Sequence, residues 1–360
     1  MPDLYFTPGP TALYFTAEEH IKTALKTGVV NTSHRGQQFK DIYKACADNL
    51  KLLMEIPDSF HVLITSSANE AWERIIQNCV RSDSYHISNG PFASRIEKIA
   101  SQLQKNTHNL KVQDGKVPSL EEIKVPEAAE IITICLNESG TGAAFPLQLI
   151  EELRNKYPDK LMAIDGVSAL PVVPVDFNSI DTIYFSVQKA FGLPAGLGIW
   201  IVNDRCVEKA QKLAAEGVMI GSYHQLPEMV EKAAEYQTLE TPNILGIFTL
   251  AKVAEDMLTK GILAIRREID YKAAILNIAV EEHPQMEHFV KEANVRSKTV
   301  SVIKTDFENT QLIKYLKEKH IHIGTGYGKY KPEHIRIANF PTHSKEQMEM
   351  LVDLITAYRG

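Results

Sequence analysis

Four short segments of the 360-residue chain carry side chains whose chemistry is complementary. Lys189 lies in Ser186-Val187-Gln188-Lys189-Ala190-Phe191-Gly192, at the end of an apolar run and just before a glycine-rich stretch. Most of the other lysines fall on amphipathic helical patterns. An amine drawn partly out of water has its pKa lowered and can attack a carbonyl. Asp165, in Ala163-Ile164-Asp165-Gly166-Val167-Ser168, ends another apolar run. A carboxylate buried there needs a cation or hydrogen-bond donors to offset its desolvation. Thr65-Ser66-Ser67-Ala68-Asn69 leads from an apolar run into a helical pattern, where free N–H groups and the helix dipole favour an anion. Asn137-Glu138-Ser139-Gly140-Thr141-Gly142 adds hydroxyl groups. Taken singly, each segment has an ordinary reading: a Ser/Asn helix cap, an Asp-Gly turn, a solvated strand-end lysine. Together they supply an anion cradle, a buried acid, hydroxyls and an amine. Pyridoxal phosphate needs that set: a phosphate anchor, a carboxylate that keeps the pyridine protonated, and a lysine for covalent attachment.

These residues can act together only if strand ends bring them to one edge. Apolar runs at Phe60–Thr65, Ser84–Ser88, Ile131–Leu136, Leu161–Ile164 and Thr182–Val187 alternate with helical patterns at Glu70–Val80, Pro91–Gln104 and Pro146–Lys156. Gly198–Val202 reads as a strand that pairs back after a glycine-rich turn. The alternation predicts βαβ units and an α/β fold, with a mainly parallel sheet flanked by helices and ligands at the carboxyl ends of its strands. One long helical stretch, Ile247–Glu281, then leads to short strands at Val300–Lys304, Ile321–Ile323 and Ile335–Ala338, interleaved with helices at Thr310–Lys319 and Ser344–Tyr358. That pattern predicts a smaller α+β C-terminal domain. A chain of this length outgrows a single core, and the expected division is an N-terminal arm over 1–15, a large domain over 16–255 and a small domain over 256–360.

Composition narrows the function. Hydrophobic residues make up 44% and charged residues 23%, as in ordinary globular proteins. A net charge of −6 argues against nucleic acid or an anionic membrane as partner, so any bound anion is captured locally. Cys46, Cys79, Cys135 and Cys206 form no CxxC pair and read as reduced, buried thiols, with no metal site expected. Met1-Pro2-Asp3-Leu4-Tyr5 lacks the features of a signal peptide and no apolar run could span a bilayer, so a cytoplasmic location is expected.

In this order the segments resemble class V (fold-type I) aminotransferases over essentially the whole chain. The matches are Thr7-Pro8-Gly9-Pro10, Ser33-His34-Arg35, the Ser67 loop, Asn137 to Gly142, Asp165 to Ser168, Gln188-Lys189, Thr241-Pro242 and Arg336-Ile337-Ala338-Asn339-Phe340. The resemblance implies a pyridoxal-phosphate enzyme that acts on small amino acids and oxo acids as a homodimer with shared active sites. Lys189 would carry the cofactor and move the proton between Cα and C4′. Asp165 would pair with the pyridinium nitrogen. Ser67, Ala68, Asn69 and Gln188 would hold the phosphate, with Thr241 arriving from the other subunit. Ser139 and Thr141 would lie near the ring hydroxyl, and Val167 is counted with the cofactor-binding residues. Asn89-Gly90-Pro91-Phe92 resembles the motif that sets an aromatic ring on the cofactor, so Phe92 takes the stacking role and Trp72 remains helix packing. Arg336 would grip the substrate α-carboxylate, while His34 and Arg35 would help to bind a substrate phosphate across the subunit interface. The terminal Arg336-Ile337-Ala338-Asn339-Phe340-Pro341, with His34, Arg35, Lys329 and Lys331 as cations, inclines the resemblance toward the phosphoserine aminotransferase branch and a place in serine biosynthesis. The sequence departs from the pattern in two places: Ser66-Ser67-Ala68-Asn69 stands where glycines are usual, and Glu240 where some members have Asn.

Rival readings remain. Alanine- or serine-glyoxylate transamination shares every cofactor residue. Cysteine desulfuration needs a nucleophilic cysteine near the small domain, and none follows Cys206. Gly324-Thr325-Gly326-Tyr327-Gly328 lacks the spacing of a dinucleotide fingerprint and reads as a turn. His320 and His322 share one strand face but read as ordinary strand histidines rather than as a metal pair. A non-catalytic binding protein would not need both Lys189 and Asp165.

Overall fold

A computed structural model of the chain describes residues 3–359. Fourteen strands occur among them: β1 Leu4–Phe6, β2 Phe60–Thr65, β3 Asp83–Ser88, β4 Asn106–Lys111, β5 Ile131–Cys135, β6 Asn137–Glu138, β7 Ala143–Ala144, β8 Leu161–Asp165, β9 Thr182–Ser186, β10 Gly198–Asn203, β11 Met286–His288, β12 Val300–Thr305, β13 Ile321–Thr325 and β14 His334–Ala338. The eleven α-helices are α1 Ala17–Thr27, α2 Gln37–Met54, α3 Ala68–Cys79, α4 Ala93–Gln102, α5 Leu147–Lys156, α6 Asp204–Ala215, α7 Leu226–Ala234, α8 Ile244–Lys260, α9 Ile262–Glu282, α10 Asn309–Glu318 and α11 Lys345–Ala357.

Seven strands form the large sheet in the order β2-β10-β9-β8-β5-β3-β4. All run parallel except β10, which is antiparallel to both β2 and β9. The three central strands β5, β8 and β9 are buried along their whole length, as expected where helices cover both faces. On one face α1, α2 and α8 contribute Ala24, Phe39, Tyr43, Leu50, Ile247 and Leu250 to the core. On the other, α3, α4, α6 and α7 contribute Trp72, Ile75, Ile96, Cys206 and Leu226. All four cysteines are buried and free.

The second sheet has the order β1-β13-β14-β12-β11, and its core joins Phe6, Ile303, Ile335 and Ile337 to Leu276 of α9, Leu312 of α10 and Met348 of α11. The first strand of the described residues thus belongs to the small sheet, with Leu4 and Phe6 of β1 in register with Ile321 and Ile323. The two strand histidines work in this joint: His322 stacks on Tyr5 with centroids 4.5 Å apart, and His320 pairs with Asp3 at 2.9 Å.

Two features differ from expectation. The continuous helix expected over 247–281 is two helices broken at Gly261, whose φ of +84° suits a residue without a side chain; α8 packs on α2 and α1, whereas α9 packs on α11. Strand β4 reads Asn-Thr-His-Asn-Leu-Lys, too polar to resemble a strand, yet it pairs in parallel with β3 from Asp83↔Asn106 to Ser88↔Lys111. An edge position tolerates such a sequence because one side faces water. None of the helices of the described residues is long and apolar enough to cross a membrane.

Candidate active site

The segments singled out by their chemistry follow the carboxyl ends of neighbouring strands. Asp165 ends β8, in register with Cys135 of β5 and Tyr184 of β9. Gln188 and Lys189 follow β9, Ser139 follows β6, Phe92 follows β3, and the Ser67 loop joins β2 to α3. They enclose a cavity of about 250 Å³. Of the expected residues, Lys189, Asp165, Ser67, Ala68, Asn69, Phe92, Ser139, Val167 and Gln188 line it. Trp72, read as packing, stands edge-on to Tyr184 in the core and also borders the cavity.

Lys189 and Asp165 are both buried, at 9% and 7% exposure. Nζ of Lys189 donates to Ser168 Oγ at 3.3 Å and lies 5.6 Å from the centroid of the Phe92 ring. Burial pushes the Lys189 amine down to about 8, against the pull of Asp165. Burial likewise lifts the Asp165 carboxyl to about 7, although Oδ1 accepts a hydrogen bond from Val167 N at 2.9 Å. No cation contacts the Asp165 carboxylate among the described residues; a protonated pyridine nitrogen would complete it. Gly9 of the N-terminal segment lies against the lysine: at its φ of +141°, a Cβ would sit 2.9 Å from Lys189 Cε.

Ser67 caps α3 by accepting from Glu70 N at 3.3 Å, and Ala68 N donates to Ser186 Oγ at 2.9 Å. Among the described residues the N–H groups of Ser67 and Asn69 have no acceptor, which leaves donors at a helix N-terminus for a phosphate. Gly198 makes room for this loop, since a Cβ there would fall 2.6 Å from the Ser67 carbonyl carbon.

Glu138 escaped the sequence reading. Its buried carboxylate accepts from Phe92 N at 2.8 Å, Ala93 N at 2.9 Å and Gly140 N at 2.8 Å, so it clamps the Phe92 segment to the Ser139 loop. Burial raises its pKa against those three bonds. Thr141, in the same loop, is buried with Oγ1 unpartnered among the described residues and is not on the cavity wall. Arg336 of β14 is half-buried; it donates to Thr325 O at 2.7 Å and Ser139 O at 3.3 Å. Tyr327, from the glycine-rich turn, faces it with the ring centroid 5.4 Å from the guanidinium carbon. Arg95, one turn after Phe92 on α4, also lines the cavity. Position alone could have flagged Arg95; nothing in the sequence links Tyr327 to this place.

Thr241, His34 and Arg35 stand apart. Thr241 lines a neighbouring cavity of about 490 Å³ that shares Asn69 with the first. Arg35 donates to Gln237 Oε1 at 2.9 Å, Thr238 O at 2.7 Å and Leu239 O at 3.1 Å, fixing the segment that leads to Thr241. His34 does not border the Lys189 cavity. Lys329 is paired with Asp114 at 3.1 Å, and Lys331 is exposed. In the second cavity His224 is clamped between Glu70, through Nδ1, and Glu240, through Nε2 at 2.9 Å. Burial lowers the His224 pKa, but the two carboxylates outweigh it and hold the ring up at about 9. Glu70 also accepts from Ser66 N at 2.8 Å and Ser66 Oγ at 2.6 Å, so His224 ties the Ser67 loop to the Glu240-Thr241 segment.

A buried lysine facing a buried acid at the carboxyl edge of such a sheet agrees with the family pattern Aminotransferase class-V, which matches residues 8–339. The chain belongs to that family, is an aminotransferase with the fold-type I architecture, and uses pyridoxal phosphate as its cofactor. More particularly, it is similar to the phosphoserine aminotransferase of Rhodococcus opacus, with 26% identity across 94% of this chain and 91% of that one. It is also similar to the solved structure of a phosphoserine aminotransferase from Cytophaga hutchinsonii, with 43% identity, 99% of both chains covered and a TM-score of 0.98. An aspartate aminotransferase from Thermus thermophilus shares the fold, at a TM-score of 0.85 and 20% identity over 98% of both chains.

Proposed function

We propose that the enzyme transfers an amino group from L-glutamate to 3-phosphohydroxypyruvate, giving O-phospho-L-serine and 2-oxoglutarate in serine biosynthesis, as a cytoplasmic homodimer. The observation that carries the reading is one cavity that holds the buried amine of Lys189 and the unpaired acid of Asp165, with the guanidinium of Arg336 held at the Ser139 loop. Likeness to phosphoserine aminotransferases supports the phosphorylated substrate.

Pyridoxal phosphate, when bound, supplies the carbonyl that an amine attacks and a ring that delocalises the electrons left at Cα. Lys189, brought down to about 8, has a substantial neutral fraction near that pH, and its Nζ would take the proton from the substrate Cα and hand it to C4′ of the cofactor. Asp165 would keep the ring nitrogen protonated and stays charged by doing so. The Ser67 and Asn69 N–H groups, with Gln188, would hold the phosphate, Phe92 would cover one ring face, and Ser139 would stand by the ring hydroxyl. Arg336 would hold the α-carboxylate in a two-pronged grip. Thr241 lies outside the Lys189 cavity of its own chain, which supports its delivery to the partner's site. His34 and Arg35 are assigned by the same resemblance to the substrate phosphate across the interface. We further propose a division into arm, large domain and small domain at 15/16 and 255/256; α8 runs through 255/256 and parts from α9 at Gly261, which favours placing the second boundary there.

The test is spectroscopic. Holoenzyme is mixed separately with O-phospho-L-serine, L-alanine and L-serine, and loss of the visible cofactor absorbance is followed. Fastest reaction with phosphoserine is expected; preference for alanine with glyoxylate as acceptor would overturn the substrate choice.

A further inference from the structure

We propose that Arg95, steadied by Tyr327, binds the anionic group at the far end of the substrate: the phosphate of a phosphorylated amino acid or the side-chain carboxylate of a dicarboxylic one. The inference rests on reading the Lys189 cavity as the amino-acid site.

The Arg95 guanidinium is on the cavity wall, with its carbon 5.6 Å from the Phe92 ring centroid. Lys189 Nζ lies at the same distance from that centroid, so the reactive amine and this cation border one aromatic ring. Arg95 has five N–H donors. Among the described residues its side chain makes one hydrogen bond, from Nη2 to Tyr327 Oη at 3.2 Å, and has no carboxylate partner. Within this chain Arg35 donates to three acceptors of the 237–239 segment, Lys329 pairs with Asp114, and Arg336 donates to two backbone carbonyls while retaining donors for one carboxylate. His34 and Lys331 do not border the cavity, so among the described residues Arg95 is the one lysine or arginine on its wall besides Lys189. A half-buried guanidinium without a counter-anion is unfavourable alone and becomes favourable when a ligand anion meets its fork.

Tyr327 sets the spacing. Its hydroxyl accepts from Arg95 while its ring lies 5.4 Å from the guanidinium carbon of Arg336 and 4.9 Å from the Phe92 ring. One tyrosine thus holds two guanidinium groups apart, one for each end of a substrate with two anionic groups. Because a transaminase uses one site for both half-reactions, a phosphorylated and a dicarboxylic amino acid would meet the same Arg95.

The experiment uses holoenzyme of wild type, Arg95→Ala, Arg95→Lys and Tyr327→Phe. Half-reactions with O-phospho-L-serine, L-glutamate and L-serine are followed by the visible absorbance, and binding of phosphoglycolate and of glycolate, which lack an amine, is measured by calorimetry. In Arg95→Ala the selectivity for phosphoserine over serine falls roughly tenfold to hundredfold, as does the preference for phosphoglycolate over glycolate. Arg95→Lys recovers part of both ratios, and Tyr327→Phe lowers them by a smaller factor. Unchanged ratios, or equal losses with and without the distal anion, would overturn the proposal. If wild type fails to react with phosphoserine, the substrate reading above fails, while the ratio of glutamate to serine still decides the role of Arg95.

Discussion

Two cavities share Asn69, and they settle their charges in opposite ways. In the second, His224 lies between Glu70 and Glu240, every charge has a protein partner, and the result joins two segments of backbone. In the first, Lys189 and Asp165 are buried without an ion-pair contact to each other, each drawn toward its neutral form. The contrast teaches how to tell architecture from chemistry. Charges that satisfy one another hold the fold together, whereas buried charges left incomplete are places for a ligand to finish.

The largest effect that would sharpen this contrast comes from the first cavity. Lys189→Ala is expected to lose the visible cofactor band and to slow transamination at least 10²- to 10⁴-fold, measured by stopped-flow half-reactions. Asp165→Asn comes next, with a loss of roughly 10²- to 10³-fold in rate. The same variant should stabilise the cofactor-free chain. Because the folded carboxyl titrates near 7, above its ordinary 3.8, its unfavourable ionisation grows as pH rises from about 4 to 7. The melting temperature of cofactor-free wild type should therefore fall as pH rises across that window, and that of Asp165→Asn should not follow it.

His224→Gln tests the other cavity and should cost about 3 kcal/mol by urea unfolding, since it leaves two carboxylates without their cation. Its pH signature runs on a different range. The folded pKa of His224 is raised to about 9 from 6.5, so its contribution is complete below about pH 6.5 and is lost as pH rises through 9. A wild-type stability that stays level from pH 6.5 to 9 would break the comparison. The smallest effect is expected for Glu138→Gln, about 1–2 kcal/mol, since one amide oxygen can keep part of the three N–H bonds. Its readout is a shift in the visible band as Phe92 loses its fixed position.

Much of this was legible because it is local. Apolar runs ending in Asp165, Lys189 or the Ser67 loop declare strand ends, and the alternation of strands with helices places strand ends on one edge. Errors arose where the local signal is weak or misleading. Gly261 is one residue in a strongly helical stretch, and β4 is a strand only because β3 offers it a hydrogen-bonding edge.

By itself, then, the sequence determined the strand and helix alternation and the strand-end positions of Lys189, Asp165 and the Ser67 loop, since each depends on residues within one turn or strand of one another. Tertiary structure alone decided which partners complete them. Arg95 meets Tyr327 across 232 positions, Phe92 N meets Glu138 across 46, and Arg336 meets Ser139 across 197. Contacts of that range leave no periodicity in the chain, because what joins them is the packing of two sheets and the desolvation it imposes.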